Sequence, residues 1–389
     1  MDVWPPLPIE VSADFVSFGD NIFAALNHPG RVRRINLDRI SLPLNLLATV
    51  MQEPFPALES LSLWADGETS ESALPNTFLG GSAPRLQSLI LHHVPFPTLP
   101  GLLLSSNHIV DLHLLRIPHT GYISPEAIVA CVSALTKLMV LSIGFESPAS
   151  RPDPRTRCPP PLTRAVLPAL VNFDFRGVSE YLEDLVARID APLLNVVKIT
   201  LFNQLVFDIR QLPLFLHAPI LMSYNQAEMH FDSGYVEIKF RPPTQRSTSP
   251  DEFLDLKISC RGVDWQVSSM AQTCNQLSLL LCGIEQLDIR DSFSLSESTW
   301  QVDMDDTQWL ELFLPFTVVK ILRMSRNFGP LIVSALQGLG GELAKEVLPT
   351  LGDLYLEGYQ PSESVPTDIE PFLTARKCAD RPVALHCWA

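Results

Sequence analysis

The chain runs to 389 residues, 46 % hydrophobic and 18 % charged, with a formal net charge of −15. That balance describes a folded chain rather than a disordered one, and its acidity argues against nucleic acid or an anionic membrane surface as the main partner, since both need clustered Lys and Arg. No stretch approaches the roughly 18 apolar residues of a membrane span, the N-terminus lacks the basic start and apolar run of a signal peptide, and the seven cysteines are scattered without a CxxC spacing. A soluble intracellular protein of the cytoplasm or nucleus is expected, with no disulfide framework, no metal site and no cofactor.

In chain order, residues 1–30 contain LPIEV and a short apolar segment closed by Pro29 and Gly30, and read as an N-terminal opening strand and cap. RVRRINLD (31–38) is the first alternating strand, and SLPLNLLATVMQ (41–52) reads as a short helix opened by Ser41 and Pro43 and closed before Pro54. FPALESLSLW (55–64) then sets the pattern of the whole chain: a proline, a leucine, and two more leucines one residue apart. APRLQSLIL (83–91), LPALVNFDF (167–175), APLLNVVKITL (191–201) and LPTLGDLYL (348–356) repeat it, and looser versions without the proline lie at 109–117, 138–145, 253–259, 284–291 and 318–325. Aligned on the alternating pair, the anchors are Ile35, Leu61, Leu89, Leu112, Leu141, Phe173, Val197, Leu256, Leu287, Leu322 and Leu354, mostly 23–35 residues apart. This is the beat of a leucine-rich repeat.

The segments between these strands vary. The polar run after Trp64 reads as a loop with one turn of helix at most, and Pro95, Pro97 and Pro100 exclude a regular helix across them. Residues 123–138 form a better helix, with Ser124 as N-cap, Pro125 in the first turn and Ile128, Val132 and Leu135 on one face. The proline-rich stretch 146–166 reads as an extended surface loop, and a short amphipathic helix follows from Ser179 with Tyr181, Leu185 and Ile189 about one turn apart. AEMHFDSGYVEIKF (227–240) reads as a β-hairpin turning at Asp232, Ser233 and Gly234, with 241–252 as a loop behind it. Helices are then expected over 264–281, 306–316, 328–349 and 367–378, with a last strand in PVALHCW. The whole is read as one α/β solenoid with a parallel concave sheet and an irregular or helical outer side. Its divisions are repeats over 31–226, a hairpin and loop insertion at 227–252, further repeats over 253–360 and a C-terminal cap over 361–389.

Alternate side chains of a strand face opposite ways, so the leucines enter a core while the residues between them face outward. That open, concave face is the candidate binding surface, carried by Trp64, Ile90, His92, His113, Asp174, Arg176, Lys257, Asp288, Arg290, Arg323 and Tyr355. Aromatic and Arg side chains are favoured interface anchors. His92 and His93 point to opposite faces and cannot easily share a metal. Cys378, His386 and Cys387 lack a fourth ligand, and Asp303, Asp305 and Asp306 lack the glycine and bidentate glutamate of a calcium loop. LQGLGGE lacks the lysine of a phosphate loop, and no nucleophile elbow or triad pattern is visible. A non-catalytic protein is expected.

Together with the repeated strand, GYISPEAIVACVSALTKL, FDFRGVSEYLEDLVARIDAPLL, DWQVSSMAQ and WLELFLPFTVVKIL give a chain that resembles the fungal F-box proteins with a divergent leucine-rich-repeat region. The resemblance spans essentially the full length but corresponds to the repeat half of such proteins. It implies a substrate receptor for a cullin-based ubiquitin ligase, in which the repeats select a protein substrate and an F-box docks on a Skp1-type adaptor. LPIEV, Leu7 to Val11, looks like the opening of an F-box, yet a repeat strand begins near Arg31 and leaves too little room for a unit of roughly 40–50 residues. Adaptor binding is therefore expected only where an F-box is present or supplied. The alternative is a truncated or orphan structural repeat protein with no ligase link.

Overall fold

The computed structural model describes residues 7–13, 20–40, 44–65, 73–153, 155, 159, 161–216, 224–241, 254–292, 306–337, 346–357 and 369–388. The chain divides into two compact units, Met1–Leu194 and Asn195–Ala389.

In the first unit the elements follow as β1 (Ile9–Ala13), α1 (Asp20–Leu26), β2 (Val32–Ile40), α2 (Leu44–Val50), β3 (Ser60–Ala65), β4 (Ser88–His92), α3 (Leu99–Ser105), β5 (Asp111–Ile117), α4 (Pro125–Val132), β6 (Val140–Phe145), β7 (Ala165–Val166), β8 (Asn172–Gly177), α5 (Ser179–Val186) and β9 (Ile189–Asp190). Strands β1 to β6 and β8 form one parallel sheet in chain order. Ile35, Leu61, Leu89, Leu112, Leu141 and Phe173 are successive register partners across it, each no more than 1 % exposed. The aligned anchors of this half are therefore one physical row of the core. Neighbouring repeats are also tied where each strand begins, one carbonyl receiving two successive N–H groups of the next repeat. Glu59 O accepts from Gln87 and Ser88 at 2.8 and 3.1 Å, Gln87 O from Val110 and Asp111 at 2.7 and 3.0 Å, and Val110 O from Met139 and Val140 at 2.8 and 3.1 Å. Such stacking lets a strand that cannot bury its apolar side alone share one core with its neighbours.

The returns depart from expectation in three places. Seven-residue α3 starts at Leu99 just beyond Pro95 and Pro97, and Pro100 falls in its first turn, where the missing N–H costs nothing. Helix α4 has the expected cap, Ser124 Oγ accepting from Ala127 N at 3.3 Å, but ends at Val132. The short helix expected from Ser179 is α5, with Tyr181 and Leu185 in the core and Glu183 and Asp184 buried as well. It ends at Val186, and Ile189 belongs to β9, which pairs with β7 across the foot of the proline-rich stretch.

The second unit runs β10 (Val196–Phe202), α6 (Leu212–Phe215), β11 (Gln226–Asp232), β12 (Tyr235–Arg241), β13 (Leu254–Ser259), α7 (Val263–Gln276), α8 (Ser278–Leu281), β14 (Gln286–Asp291), α9 (Asp306–Phe313), β15 (Ile321–Met324), α10 (Gly329–Gln337), β16 (Asp353–Glu357), α11 (Glu370–Cys378) and β17 (Ala384–Trp388). The hairpin is present, β11 and β12 pairing antiparallel with Asp232 opposite Tyr235 around a two-residue turn. The expected insertion is taken into the sheet itself: both strands lie inside it, in the order β10–β13–β12–β11–β14–β15–β16–β17. Strand β13 pairs parallel with β10, and β11 pairs parallel with β14, so β12 is the single antiparallel strand of this sheet among the described residues.

The register also differs from the alignment here. Val197 is opposite Leu254, and Leu256 is opposite Ile199, two residues away from the anchor pairing but on the same face. The expected helix over 264–281 is broken at Leu277 into α7 and α8. Residues 338–345, like Ser41, Pro43, Asp303 and Asp305, lie outside the described residues. At the end of the chain β17 pairs parallel with β16, and Arg376 of α11 is 2 % exposed, donating to the carbonyls of Leu348 and Leu351 at 3.1 and 3.2 Å.

Candidate functional site

The strands place all eleven candidate side chains on the sheet side opposite the leucine rows, in two groups that belong to separate units. In the first unit, Ser62, Ile90, His113, Ser142 and Asp174 are successive register partners, and Trp64, His92 and Leu115 form a second row. The Trp64 indole stacks on the His92 ring with centroids 4.4 Å apart and planes at 16°. Its Nε1 donates to Ser62 Oγ at 3.0 Å, which fixes the ring against rotation. His113 Nδ1 lies 2.9 Å from Ser142 Oγ. Burial holds His92 below the ordinary histidine range, with the Arg116 charge and His93 adding to this and Asp38 opposing it. His93 turns the other way on a left-handed backbone, φ 58°; it is buried, with Nε2 2.9 Å from Glu146 Oε1.

Further along, Gly144 is opposite Arg176 in the register, and a Cβ there would be 3.5 Å from Arg176 Cβ and 3.8 Å from Arg116 N. A Cβ at this position would therefore meet ordinary van der Waals contacts only. Asp174 and Arg176 are both exposed.

In the second unit the hairpin strands contribute to the face, which the sequence reading missed. One row crosses the sheet as Lys198, Asp255, Lys239, Glu228, Asp288, Arg323, Tyr355 and His386, and the next as Thr200, Lys257, Glu237, His230 and Arg290. The alternation of AEMHFDSGYVEIKF already marks Glu228, His230, Glu237 and Lys239 as outward positions. What was missing was that β11 and β12 lie inside the sheet. Lys257, aligned with Lys198 in the sequence, is instead opposite Thr200.

Charges on this face are layered. Lys239 Nζ is 2.6 Å from Glu237 Oε2, Arg241 Nη2 2.7 Å from Glu228 Oε2, Arg290 3.4 Å from Glu228 and 3.6 Å from Asp288, and Arg323 3.7 Å from Asp288. Lys257 Nζ lies 3.3 Å above the Tyr235 ring, and Arg323 is 5.4 Å from the Tyr355 ring, within cation–π reach. Tyr355 stacks on His386 at 4.4 Å and 17°, and His386 Nε2 is 2.8 Å from Asp353 Oδ1.

Asp255 and Glu237 form a carboxyl pair between Lys239 and Lys257. Burial, then the Glu237 charge and its hydrogen bond, push Asp255 up to about 7, against the pull of the two lysines. Burial also acts on Glu237, but hydrogen bonds from Lys239 and Asp255 outweigh it and hold that carboxyl below its ordinary range. The pair therefore shares one proton near neutrality, with Asp255 donating it.

Among the described residues, no group of three His, Cys, Asp or Glu side chains gathers as a metal site, and no helix is long and apolar enough to cross a membrane. No protein-family model matches the chain, and no curated protein matches it significantly.

Proposed function

We propose that the chain is a non-catalytic protein-binding array of the leucine-rich-repeat type, and that its open sheet face selects a partner protein. The observation that carries this is the fixed Trp64–His92 stack. A tryptophan held by a ring contact at 4.4 Å and a hydrogen bond at 3.0 Å, yet not buried in the leucine core, is the pre-organised aromatic anchor that interfaces favour. The Tyr355–His386 stack of the second unit repeats the arrangement. The more specific role, substrate recognition within an F-box-type ubiquitin ligase, is supported by the resemblance of the repeat region.

A repeat protein without a ligase link is the second reading. Ile9–Ala13 is a strand paired with β2 rather than part of a helical F-box, so the ligase reading draws no support from the LPIEV segment. The test is affinity capture of the tagged full chain from its own cells, with bound proteins quantified by mass spectrometry. The ligase reading expects a Skp1-type adaptor among them, together with a partner set that is depleted at least tenfold by Trp64→Ala. Partners without the adaptor support the second reading. A partner set untouched by both Trp64→Ala and Tyr355→Ala overturns the open-face assignment.

A further inference from the structure

The open face of the second unit is built so that its cations stand outermost. In the ion pairs that Lys239, Arg241, Arg290 and Arg323 make with Glu237, Glu228 and Asp288, the cation is the more exposed member, whereas His386 and Asp353 are equally exposed. Lys239, Arg241, Arg290 and Arg323 side chains are 36, 57, 54 and 33 % exposed, against 8, 16 and 13 % for Glu237, Glu228 and Asp288. Short carboxylate side chains stay near the sheet, while the long Lys and Arg stems carry their heads outward. The recessed carboxylates thus orient the cations without cancelling the charge that an approaching partner meets first.

In a chain of net charge −15, such a cationic outer layer is a local reversal of sign. The Arg290 guanidinium is 3.4 and 3.6 Å from its two carboxylates, longer than the roughly 2.7–2.9 Å of a closed charge-assisted bond, which leaves room for an incoming bidentate carboxylate. We infer that this face binds an acidic peptide segment, rich in Glu and Asp, of the partner protein. The inference rests on the proposed protein-binding role and specifies the chemistry of the partner. Nucleic acid fits less well, because carboxylates are interleaved beneath Lys239, Arg241, Arg290 and Arg323 and a chain of net charge −15 repels a long polyanion.

The test uses the intact chain and a fluorescein-labelled peptide of eight glutamates spaced by Gly and Ser, followed by anisotropy. The controls are the Gln version of the peptide and a single-stranded oligothymidine of equal charge. The Glu peptide should bind, the Gln peptide should not, and affinity should fall at least tenfold between 50 and 300 mM salt. Arg290→Glu with Arg323→Glu should abolish binding, while an equal charge change at Lys137→Glu with Arg210→Glu, away from the sheet face, should alter it less than threefold. Arg290→Gln with Arg323→Gln, with its melting midpoint checked, covers the case in which the reversal disturbs folding. Equal binding of the Gln peptide, tighter binding of the oligonucleotide, or an equal loss in the control variant overturns the inference. Cellular partners lost on Trp64→Ala but retained on the Arg reversal would overturn the acidic specificity and leave the proposed function standing.

Discussion

Leu61→Ala and Trp64→Ala are three residues apart on one strand and should behave oppositely. Leu61 is fully buried, opposite Ile35 on one side and Leu89 on the other. With both flanking strands held by the sheet ladder, the site cannot collapse around an alanine, which places the loss in the upper part of the measured range, about 3–5 kcal/mol. Trp64 forfeits a ring stack of about 0.5–1.5 kcal/mol and a hydrogen bond of similar net worth. The stacked rings are part-exposed and the bond to Ser62 is part-buried, so water replaces them in part and the loss stays near about 1 kcal/mol. For a unit of this size each kcal/mol shifts a melting midpoint by about 2–4 °C. Circular-dichroism melts should therefore fall by roughly 6–20 °C for Leu61→Ala and roughly 2–4 °C for Trp64→Ala, whereas partner capture should suffer mainly in the second. Equal thermal losses, or a larger one for Trp64→Ala, would refute the division of β3 into a core side and an open side.

Three further outcomes follow from single contacts. Asp255 keeps a proton up to about pH 7 in the folded chain but releases it near 3.8 when unfolded, so its contribution to stability falls as pH rises through that window. Asp255→Asn, whose amide still donates to Glu237, should raise the melting midpoint at pH 8 by an amount that shrinks towards pH 4; a gain that grows on acidification would contradict the shared proton. Gly177→Ala would set a Cβ 2.7 Å from Phe175 Cζ and 3.1 Å from Phe145 Cδ2. Both rings are packed with Tyr181, so a loss of about 1–3 kcal/mol is expected by urea titration, and a neutral result would mean the cluster is loose. Arg376→Leu strips the buried carbonyls of Leu348 and Leu351 of their donor. It should cost about 2–4 kcal/mol and speed hydrogen exchange in α11 and β17, whereas unchanged exchange there would show that the guanidinium does not hold the C-terminal segment.

The first unit was legible because two local rules agree. Period-two alternation marks which residues share a face, and the proline–leucine step marks where the strands of Leu61, Leu89 and Phe173 begin, so the row Ile35, Leu61, Leu89, Leu112, Leu141, Phe173 can be aligned from the sequence. Helix α5 starts at Ser179 as its apolar spacing implies, but that spacing says neither that the helix stops at Val186 nor what covers its polar side; Glu183 and Asp184 are buried, and no pattern within SEYLEDLV announces that. Helix α3 begins only beyond Pro95 and Pro97, so no helix crosses the three prolines, and Pro100 is tolerated in its first turn.

The hairpin shows where local pattern stops. Alternation and the Asp232–Ser233–Gly234 turn specify a strand pair, but a strand's partners beyond its own hairpin depend on which free edge can bury its apolar side. Here Ala227, Met229 and Phe231 on β11, and Val236, Ile238 and Phe240 on β12, are at most 2 % exposed, which a hairpin standing off the array could not achieve. Once inside, a meander of three strands can keep β13 parallel to β10 and β11 parallel to β14 only by running backwards through the sheet, as the order β10–β13–β12–β11–β14 does. That reversal moves Lys257 three strands from Asp288, roughly 14 Å at the usual strand spacing of about 4.8 Å, and puts Glu228, Glu237 and Lys239 between them. Glu228 beneath Arg290 and Glu237 beneath Lys239 come from these two strands, so the same step that buries the hairpin's apolar side also contributes to the layered charge of the open face.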